Sequence, residues 1–280
     1  MTRDAKAGSV VEVRGVRIPR LGLGTWMLEG EACVEGVRDA LALGYRHIDT
    51  ARNYGNEAEV GRGIAESGVP REEIWLTTKV PYERLRADEV RRDAEASLEE
   101  LGTDWIDLLL IHWPNPDVPL AETLGAMRAL QEEGLVRHLG VSNFPTALLR
   151  EALDLAPVLA NQVEYHPYLS QRPLLELARE RDVMITAYSP FARGDVLGDP
   201  VIAEIARAHD RTPAQVVLRW LLDQPLVSAI PKAASHERRA ENLGALGFEL
   251  SPEERARIDG LARGARRVDP SWAPTWDADS

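Results

Sequence analysis

The stretch HIDTARNYGNE, His47 to Glu57, places Asp49 directly after a short apolar run and Tyr54 five residues later, in a segment ending in Gly and Asn. Two later apolar runs stop on side chains of complementary kind: LTTKV reaches Lys79, and DLLLIHWP reaches His112. If the four meet, they form a proton-delivery site. A phenol titrates near ~10, too high for an effective donor at neutral pH, and an adjacent ammonium lowers that value by stabilising the phenolate. Tyr54 beside Lys79 is then a candidate general acid. Asp49 would keep Lys79 charged and aimed, and His112 would hydrogen-bond the oxygen that receives the proton. Protonating a carbonyl oxygen invites a hydride at its carbon, so the combination suggests carbonyl reduction with a nicotinamide cofactor. Taken singly, each residue also has a structural use: the histidine as a strand-end hydrogen-bonder, Asp49 or Lys79 in a rim salt bridge, Tyr54 in loop packing.

Such residues need elements that carry them to one place. Apolar, β-branched runs recur along the chain as RHIDT, IWLTTKV, WIDLLLIHW, RHLGVSN, NQVEY, VMITAYSP and LVSAIPK, with RLGLGT as an eighth candidate strand. Segments between them, such as ADEVRRDAEASLEELG and AETLGAMRALQEEG, show apolar residues three and four apart, charged faces and a closing Gly, as amphipathic helices do. Eight strands with crossover helices predict an α/β fold, a closed (β/α)8 TIM barrel rather than an open sheet. Barrels of this kind take roughly 250 residues as one domain, so residues 1–280 are expected to be a single domain. VVEVRGVRIPR predicts an N-terminal β-hairpin turning at Arg14-Gly15. TPAQVVLRWLLDQ and SPEERARIDGLA, each with an early Pro, predict extra C-terminal helices. The tail VDPSWAPTWDADS, interrupted by Pro, is either an ordered loop on the surface or a frayed end. In such a barrel the site lies at the C-terminal ends of the strands. There the runs end in Asp49, Lys79, His112, Ser142 with Asn143, Glu164 with Tyr165, Tyr188 with Ser189, and Lys232. An unpaired buried charge is costly, so Asp49 is expected to pair with Lys79.

With 44% hydrophobic and 28% charged residues over 280, the chain has ordinary globular composition and material for a core. The net charge of −12 argues against a nucleic-acid or anionic-membrane surface, which would need a basic face. Cys33, the only cysteine, cannot form an intrachain disulfide and reads as a packing residue in a reducing compartment. The start MTRDAKAGSV is polar, and no apolar run approaches the roughly 20 residues that span a bilayer. A soluble, cytoplasmic protein is the expectation.

Read together, LGLGTW, GYRHIDTARNYGNE, LTTKV, DLLLIHWP, LGVSNF, NQVEYHP, AYSP and IPKAASHERRAENL resemble the aldo-keto reductase family. The match runs in order over nearly the whole chain and is most like bacterial members that reduce diketo-gluconates and similar small carbonyls. The resemblance implies a (β/α)8 barrel, usually monomeric, that uses NADPH without a Rossmann domain, so the lack of a G-x-G-x-x-G fingerprint is no objection. It places Asp49, Tyr54, Lys79 and His112 on the family's catalytic tetrad, with Tyr54 as proton donor. Gly24, Thr25 and Asp49 fall on the cofactor side, Ser142, Asn143 and Gln162 where the nicotinamide carboxamide binds, and Tyr188 where a ring stacks on it. Ser189 and Phe191 lie in the stretch that covers the pyrophosphate, and FARGDV after it is a mobile clasp or a surface loop. Lys232 and Arg238 fall on residues that meet the 2′-phosphate, Glu241 and Asn242 on those near adenine. Ala233 stands where the family commonly has Ser or Thr, so NADPH is expected with NADH weaker. Trp26 and Trp113 fall on positions lining the substrate pocket, which Tyr54, His112 and Trp272 would share. Phe191 and Trp276 could complete its wall, and residues 265–280 would form a substrate-pocket loop. Trp75, Trp105 and Trp220, inside apolar runs, read as core. Without the resemblance, Ser142 and Asn143 read as caps for the helix FPTALLREALDL, and Arg238 and Arg239 as a solvated helix face.

A small carbonyl compound is the expected partner, with no nucleic acid and no membrane. A barrel that binds NADPH as a sensor or auxiliary subunit is the alternative from another class. A Schiff-base aldolase would need Lys79 neutral and desolvated, which Asp49 opposes. A metal hydrolase has little support, because His47, Asp49 and His112 lack zinc-like spacing.

Overall fold

Val10–Val13 (β1) and Val16–Pro19 (β2) pair antiparallel, with Val13 opposite Val16. Arg14 (φ 48°) and Gly15 (φ 78°) between them are both left-handed, as a tight two-residue hairpin turn requires. The computed structural model describes residues 9–278; the polar start and the last two residues of the tail lie outside them.

Eight strands follow in chain order: β3 (Leu23–Gly24), β4 (His47–Asp49), β5 (Trp75–Val80), β6 (Ile106–Ile111), β7 (Val136–Ser142), β8 (Val158–Glu164), β9 (Met184–Tyr188) and β10 (Val227–Ala229). Each pairs in parallel with the next, from β3 through to β10. The sheet then closes on itself. Gly22 N–H donates to the Ala229 carbonyl at 2.9 Å, Ala229 N–H to Arg20 at 2.8 Å, and Gly24 N–H to Pro231 at 3.2 Å. Closure here needs a residue without a side chain, since a Cβ on Gly24 would lie 2.7 Å from the Ile230 carbonyl oxygen. The expected (β/α)8 barrel with its N-terminal hairpin is the observed one.

Helices wrap the outside: α1 (Gly30–Leu43), α2 (Glu57–Glu66), α3 (Ala87–Leu101), α4 (Leu120–Glu132), α5 (Thr146–Leu155), α6 (Arg172–Arg181), α7 (Pro200–Ala208), α8 (Pro213–Leu222), α9 (His236–Leu243) and α10 (Pro252–Asp259). The β9–β10 crossover uses two of them, α7 and α8, and α10 follows α9. The sequence pattern had not singled out α7, although its start carries two signals. Asp199 accepts from the backbone of Val201 and Ile202, and Pro200 occupies the first turn.

Strand side chains alternate between two surroundings. Ile48, Leu76, Leu109, Val141, Val163 and Ile185 pack outward against helix residues such as Val37, Val60, Val90, Leu124, Leu149 and Leu177. Truncating one of these to Ala removes about 2–5 kcal/mol of stability. Trp75, Leu108, Leu110, Ala160 and Met184 point the other way and pack with Val11, Val13 and Ile18 of the hairpin. The hairpin therefore plugs the N-terminal end of the barrel. The same alternation turns Asp49, Lys79, Ser142, Gln162 and Tyr188 inward at the opposite end, one or more layers above the plug.

Trp75 and Trp220 are core residues, as expected, at 8% and 4% exposure. Trp105 is not. It precedes β6 and lies half-buried between the guanidinium groups of Arg71 and Arg137, 4.7 and 4.3 Å from its ring centroid. The apolar run that surrounds it continues into the strand, which hid this cation–π position from the pattern.

Through Ala278 the tail is an ordered loop rather than a frayed end. Arg263 and Ala265 N–H groups donate to the Tyr168 carbonyl. Arg267 and Val268 N–H groups each donate to the buried Glu164 carboxylate at 2.8 Å. Asp277 accepts from the backbone and hydroxyl of Thr146 at 3.0 and 2.5 Å. The tail is thus fastened across the C-terminal face.

Candidate active site

Asp49 ends β4, and Lys79 lies near the end of the adjacent β5. Lys79 Nζ donates to Asp49 Oδ1 at 2.6 Å and to the Thr50 carbonyl at 2.6 Å. Both side chains are enclosed, 0% and 2% exposed. Burial pulls the Lys79 ammonium down, but Asp49 and Tyr54 outweigh it and hold its pKa above the ordinary value. Lys79 stays charged.

Tyr54 sits on a single helical turn, Arg52–Tyr54, closed by left-handed Gly55. Its hydroxyl lies 3.4 Å from Lys79 Nζ, and the ammonium stands 4.9 Å from the ring centroid. The expected lowering of the phenol pKa is corrected by this geometry. Burial pushes it up, Lys79 pulls it down, Asp49 pushes up again, and the net position is above the ordinary value. The ammonium acts in the expected sense, but spacing in sequence carries no information about enclosure. The consequence is a phenol that holds its proton at neutral pH beside a cation that stabilises the phenolate once the proton leaves.

His112 follows β6 and meets Tyr54 edge-on, centroids 5.7 Å apart at 73°. Burial, with a contribution from Lys79, pushes its imidazole down to about 3, so the ring is neutral and donates through one N–H. Its Nδ1 is enclosed and has no hydrogen-bond partner among the described residues.

Next to these four lies a connected polar floor. Gln162 Nε2 donates to the second Asp49 oxygen at 2.6 Å, and Ser142 Oγ donates to the Gln162 carbonyl at 2.8 Å. Asn143 Nδ2 reaches Ser142 Oγ at 3.0 Å and the His112 carbonyl at 3.1 Å, while its Oδ1 accepts from Tyr188 OH at 2.7 Å. Neither Ser142 nor Asn143 caps α5, whose cap position is Pro145. Asn143 (φ 64°) and Ser189 (φ 47°) are both left-handed, a conformation that costs roughly 1–3 kcal/mol outside glycine and clusters at functional sites. Thr25 donates its hydroxyl to the Asp49 carbonyl at 3.0 Å.

Farther along the rim, Lys232 and Arg238 are exposed, on either side of the α9 cap Ser235. Arg239 is not the solvated residue it resembled. At 5% exposure it donates to Asp39 at 2.6 Å and to the Ala233 carbonyl at 3.0 Å, fixing the segment that carries Lys232. Ala233 itself packs in the core. Glu241 is half-buried, and Asn242 is buried beside the Tyr45 hydroxyl. Phe191 packs partly on the core, followed by left-handed Ala192, Arg193 and Gly194; Asp195 of that loop bonds Arg267 of the tail at 2.5 Å.

Aromatic residues rise above His112. Trp113 meets Trp272 edge-on at 5.1 Å and Trp276 at 6.0 Å, and Trp272 stacks on Tyr82 at 4.3 Å. Trp26 is 50% exposed on the loop after β3. A separate cavity of about 530 Å³ lies beneath residues 272–275, between the β6–α4 loop and α5; none of the four proton-site residues lines it.

A family model for aldo/keto reductases matches residues 20–263. The chain belongs to the aldo/keto reductase family. It is 42% identical over 266 residues to methylglyoxal reductase DkgB of Escherichia coli O157:H7, covering 93% of this chain and 99% of that one. It is 44% identical over 252 residues to a 9,11-endoperoxide prostaglandin H2 reductase of Trypanosoma cruzi, covering 88% of each. Among solved structures, a putative 2,5-diketo-D-gluconic acid reductase B superposes with TM-score 0.94 at 44% identity, over 96% of this chain and 98% of the other. As an aldo-keto reductase, the protein is an oxidoreductase of carbonyl groups that works with a nicotinamide cofactor. The residues present suit such a group: amide and hydroxyl side chains with the flat Tyr188 ring at one end, and two exposed cations at the other.

Sequence reasoning missed three supporting residues of this aldo-keto reductase site, Thr50, Asn56 and Glu57, and placed a fourth, Glu164, at a strand end without a role. The Thr50 carbonyl receives Lys79, and the Thr50 hydroxyl donates to Asn56 Oδ1 at 2.8 Å. Asn56 Nδ2 donates to the Thr25 and Leu28 carbonyls, both at 2.9 Å. Glu57 and Glu164 are fully buried carboxylates. For Thr50, Asn56 and Glu57 the signal available was polar residues packed into HIDTARNYGNE, more than a solvated loop requires. No helix among the described residues is long and apolar enough to cross a membrane.

Proposed function

We propose that the protein reduces small aldehydes and ketones to alcohols with NADPH, taking the proton from Tyr54. The observation that carries this is the placement of a protonated phenol 3.4 Å from a charged, fully enclosed lysine held by Asp49. Neutral His112 donates a hydrogen bond to the carbonyl oxygen, polarising it without surrendering its own proton. Tyr54 then transfers its proton to that oxygen, and Lys79 stabilises the phenolate left behind. The cofactor supplies the hydride when bound. Gln162, Ser142 and Asn143 hold the carboxamide, Tyr188 lies against the ring, and Gly24 and Thr25 leave the close backbone surface beside it. Ser189 and Phe191 cover the pyrophosphate, Glu241 and Asn242 lie near adenine, and Lys232 with Arg238 takes the 2′-phosphate. Ala233 brings no hydroxyl, so NADH binds more weakly rather than not at all. Trp26, Trp113 and Trp272 wall the carbonyl pocket under the loop that begins at residue 265.

The whole chain works as one barrel domain and as a monomer, the state that the family resemblance implies. The cytoplasm suits its single buried thiol, Cys33. A Schiff-base role for Lys79 is disfavoured, because that nucleophile must be neutral and this one is held charged. The test is loss of NADPH absorbance on mixing with simple aldehydes, methylglyoxal and a diketo-gluconate. Steady oxidation is the expected result; tight NADPH binding without turnover would replace the enzyme by a sensor.

A further inference from the structure

We propose that Glu57 is a positioning residue that sets the distance between the Tyr54 hydroxyl and the Lys79 ammonium; the inference rests on the donor role given to Tyr54 above. The two groups belong to unlike elements. Lys79 is on a central strand, whereas Tyr54 is on one helical turn whose three residues are all at least partly exposed. Their 3.4 Å contact is at the long limit of a hydrogen bond, where a small drift of the turn would break it.

Glu57, the first residue of α2, is 0% exposed and touches both sides. Its Oε1 accepts from the Thr78 hydroxyl at 2.5 Å, and Thr78 is the residue before Lys79 on β5. Its Oε2 accepts from Arg52 Nη1 at 3.0 Å, and Arg52 opens the turn that ends in Tyr54. Ser97 of α3 gives Oε2 a second donor at 3.0 Å, which anchors the junction to the outer layer. One carboxylate thus ties the donor's turn to the strand of its cation. Burying a charge for this purpose is costly, and three donors make it tolerable. Arg52 has another partner, Glu100 at 2.7 Å, so removing the Glu57 charge does not strand the guanidinium.

Misplacement on the order of 1 Å can cost 10²-fold in rate, so loosening the turn reads out in turnover. Glu57→Gln keeps the volume and loses the charge that holds Arg52 and both hydroxyls together. At saturating NADPH it is expected to lower kcat on a simple aldehyde by about tenfold or more, with the NADPH Kd unchanged within about twofold. In a Tyr54→Phe background the same change should have almost no further effect, because it acts through the hydroxyl already removed. Arg52→Met, which cuts the connection to the turn together with the Glu100 ion pair and leaves Glu57 on Thr78 and Ser97, should lower kcat by about threefold or more and be equally silent in that background; it keeps the test decisive if Glu57→Gln fails to fold. An equal fractional loss with and without the Tyr54 hydroxyl, parallel loss of NADPH affinity, or an Arg52→Met enzyme of full rate would each overturn the inference. Full activity of Tyr54→Phe alone would remove the donor assignment itself, a distinct failure seen before Glu57 is touched.

Discussion

Replacing Tyr54 by Phe deletes one oxygen and leaves the ring, which separates proton delivery from every other duty of the residue. The Lys79 ammonium keeps its two short contacts, to Asp49 and to the Thr50 carbonyl at 2.6 Å each, and loses only one of 3.4 Å. The ring keeps its edge contact with His112 and its place under the ammonium. A lost hydrogen bond of this length contributes at most about 1 kcal/mol, so thermal stability should barely move. The rate should move a great deal. A positioned general acid contributes roughly 10²–10⁴-fold, and at about 1.36 kcal/mol per factor of ten this raises the barrier by ~2.7–5.5 kcal/mol. The assay compares kcat from NADPH oxidation with an aldehyde, NADPH Kd from quenching of tryptophan fluorescence, and a thermal melt. A variant that binds NADPH, melts with the parent and reduces the aldehyde at near wild-type rate would refute the mechanism.

Lys79→Met should cripple turnover, and Asp49→Asn should do less. Activity needs the protonated phenol, so it is present below the Tyr54 pKa and lost above it; without the ammonium that pulls this value down, the alkaline loss of residual rate should shift to higher pH. Since burial keeps His112 neutral down to about pH 3, the pH profile of kcat should show no limb between pH 5 and 8 that disappears in His112→Asn; such a limb would mean the imidazole titrates there. Arg238→Ala should weaken NADPH about tenfold or more and leave NADH nearly unchanged, a charge-assisted phosphate contact being worth roughly 1.5–3 kcal/mol. Equal losses for the two cofactors, measured by fluorescence titration, would place the 2′-phosphate elsewhere.

The strands were legible because both faces of a barrel strand are buried, which writes short, nearly unbroken apolar runs such as LLLI and LTTKV. Their polar last residues followed from the same rule, so Asp49, Lys79 and His112 could be found by asking where each run stops. The net direction of the Tyr54 pKa could not be found that way, because enclosure by other elements sets it. Arg239 looked like Arg238 in the string HERRAE, yet a 100° step around α9 carries one inward to Asp39 and leaves the other in solvent. Asn56 and Glu57 were passed over for a related reason. A buried polar residue is recognisable only through its partners, and those of Glu57 are on β5, α3 and the turn before it.

The hairpin at the N-terminal end works as a stopper on the barrel. Val11, Val13 and Ile18 close the lower mouth against Trp75, Leu108 and Met184. Traffic to Asp49, Lys79 and His112 therefore runs through the opposite face, the one across which the tail is tied to Glu164 and Thr146.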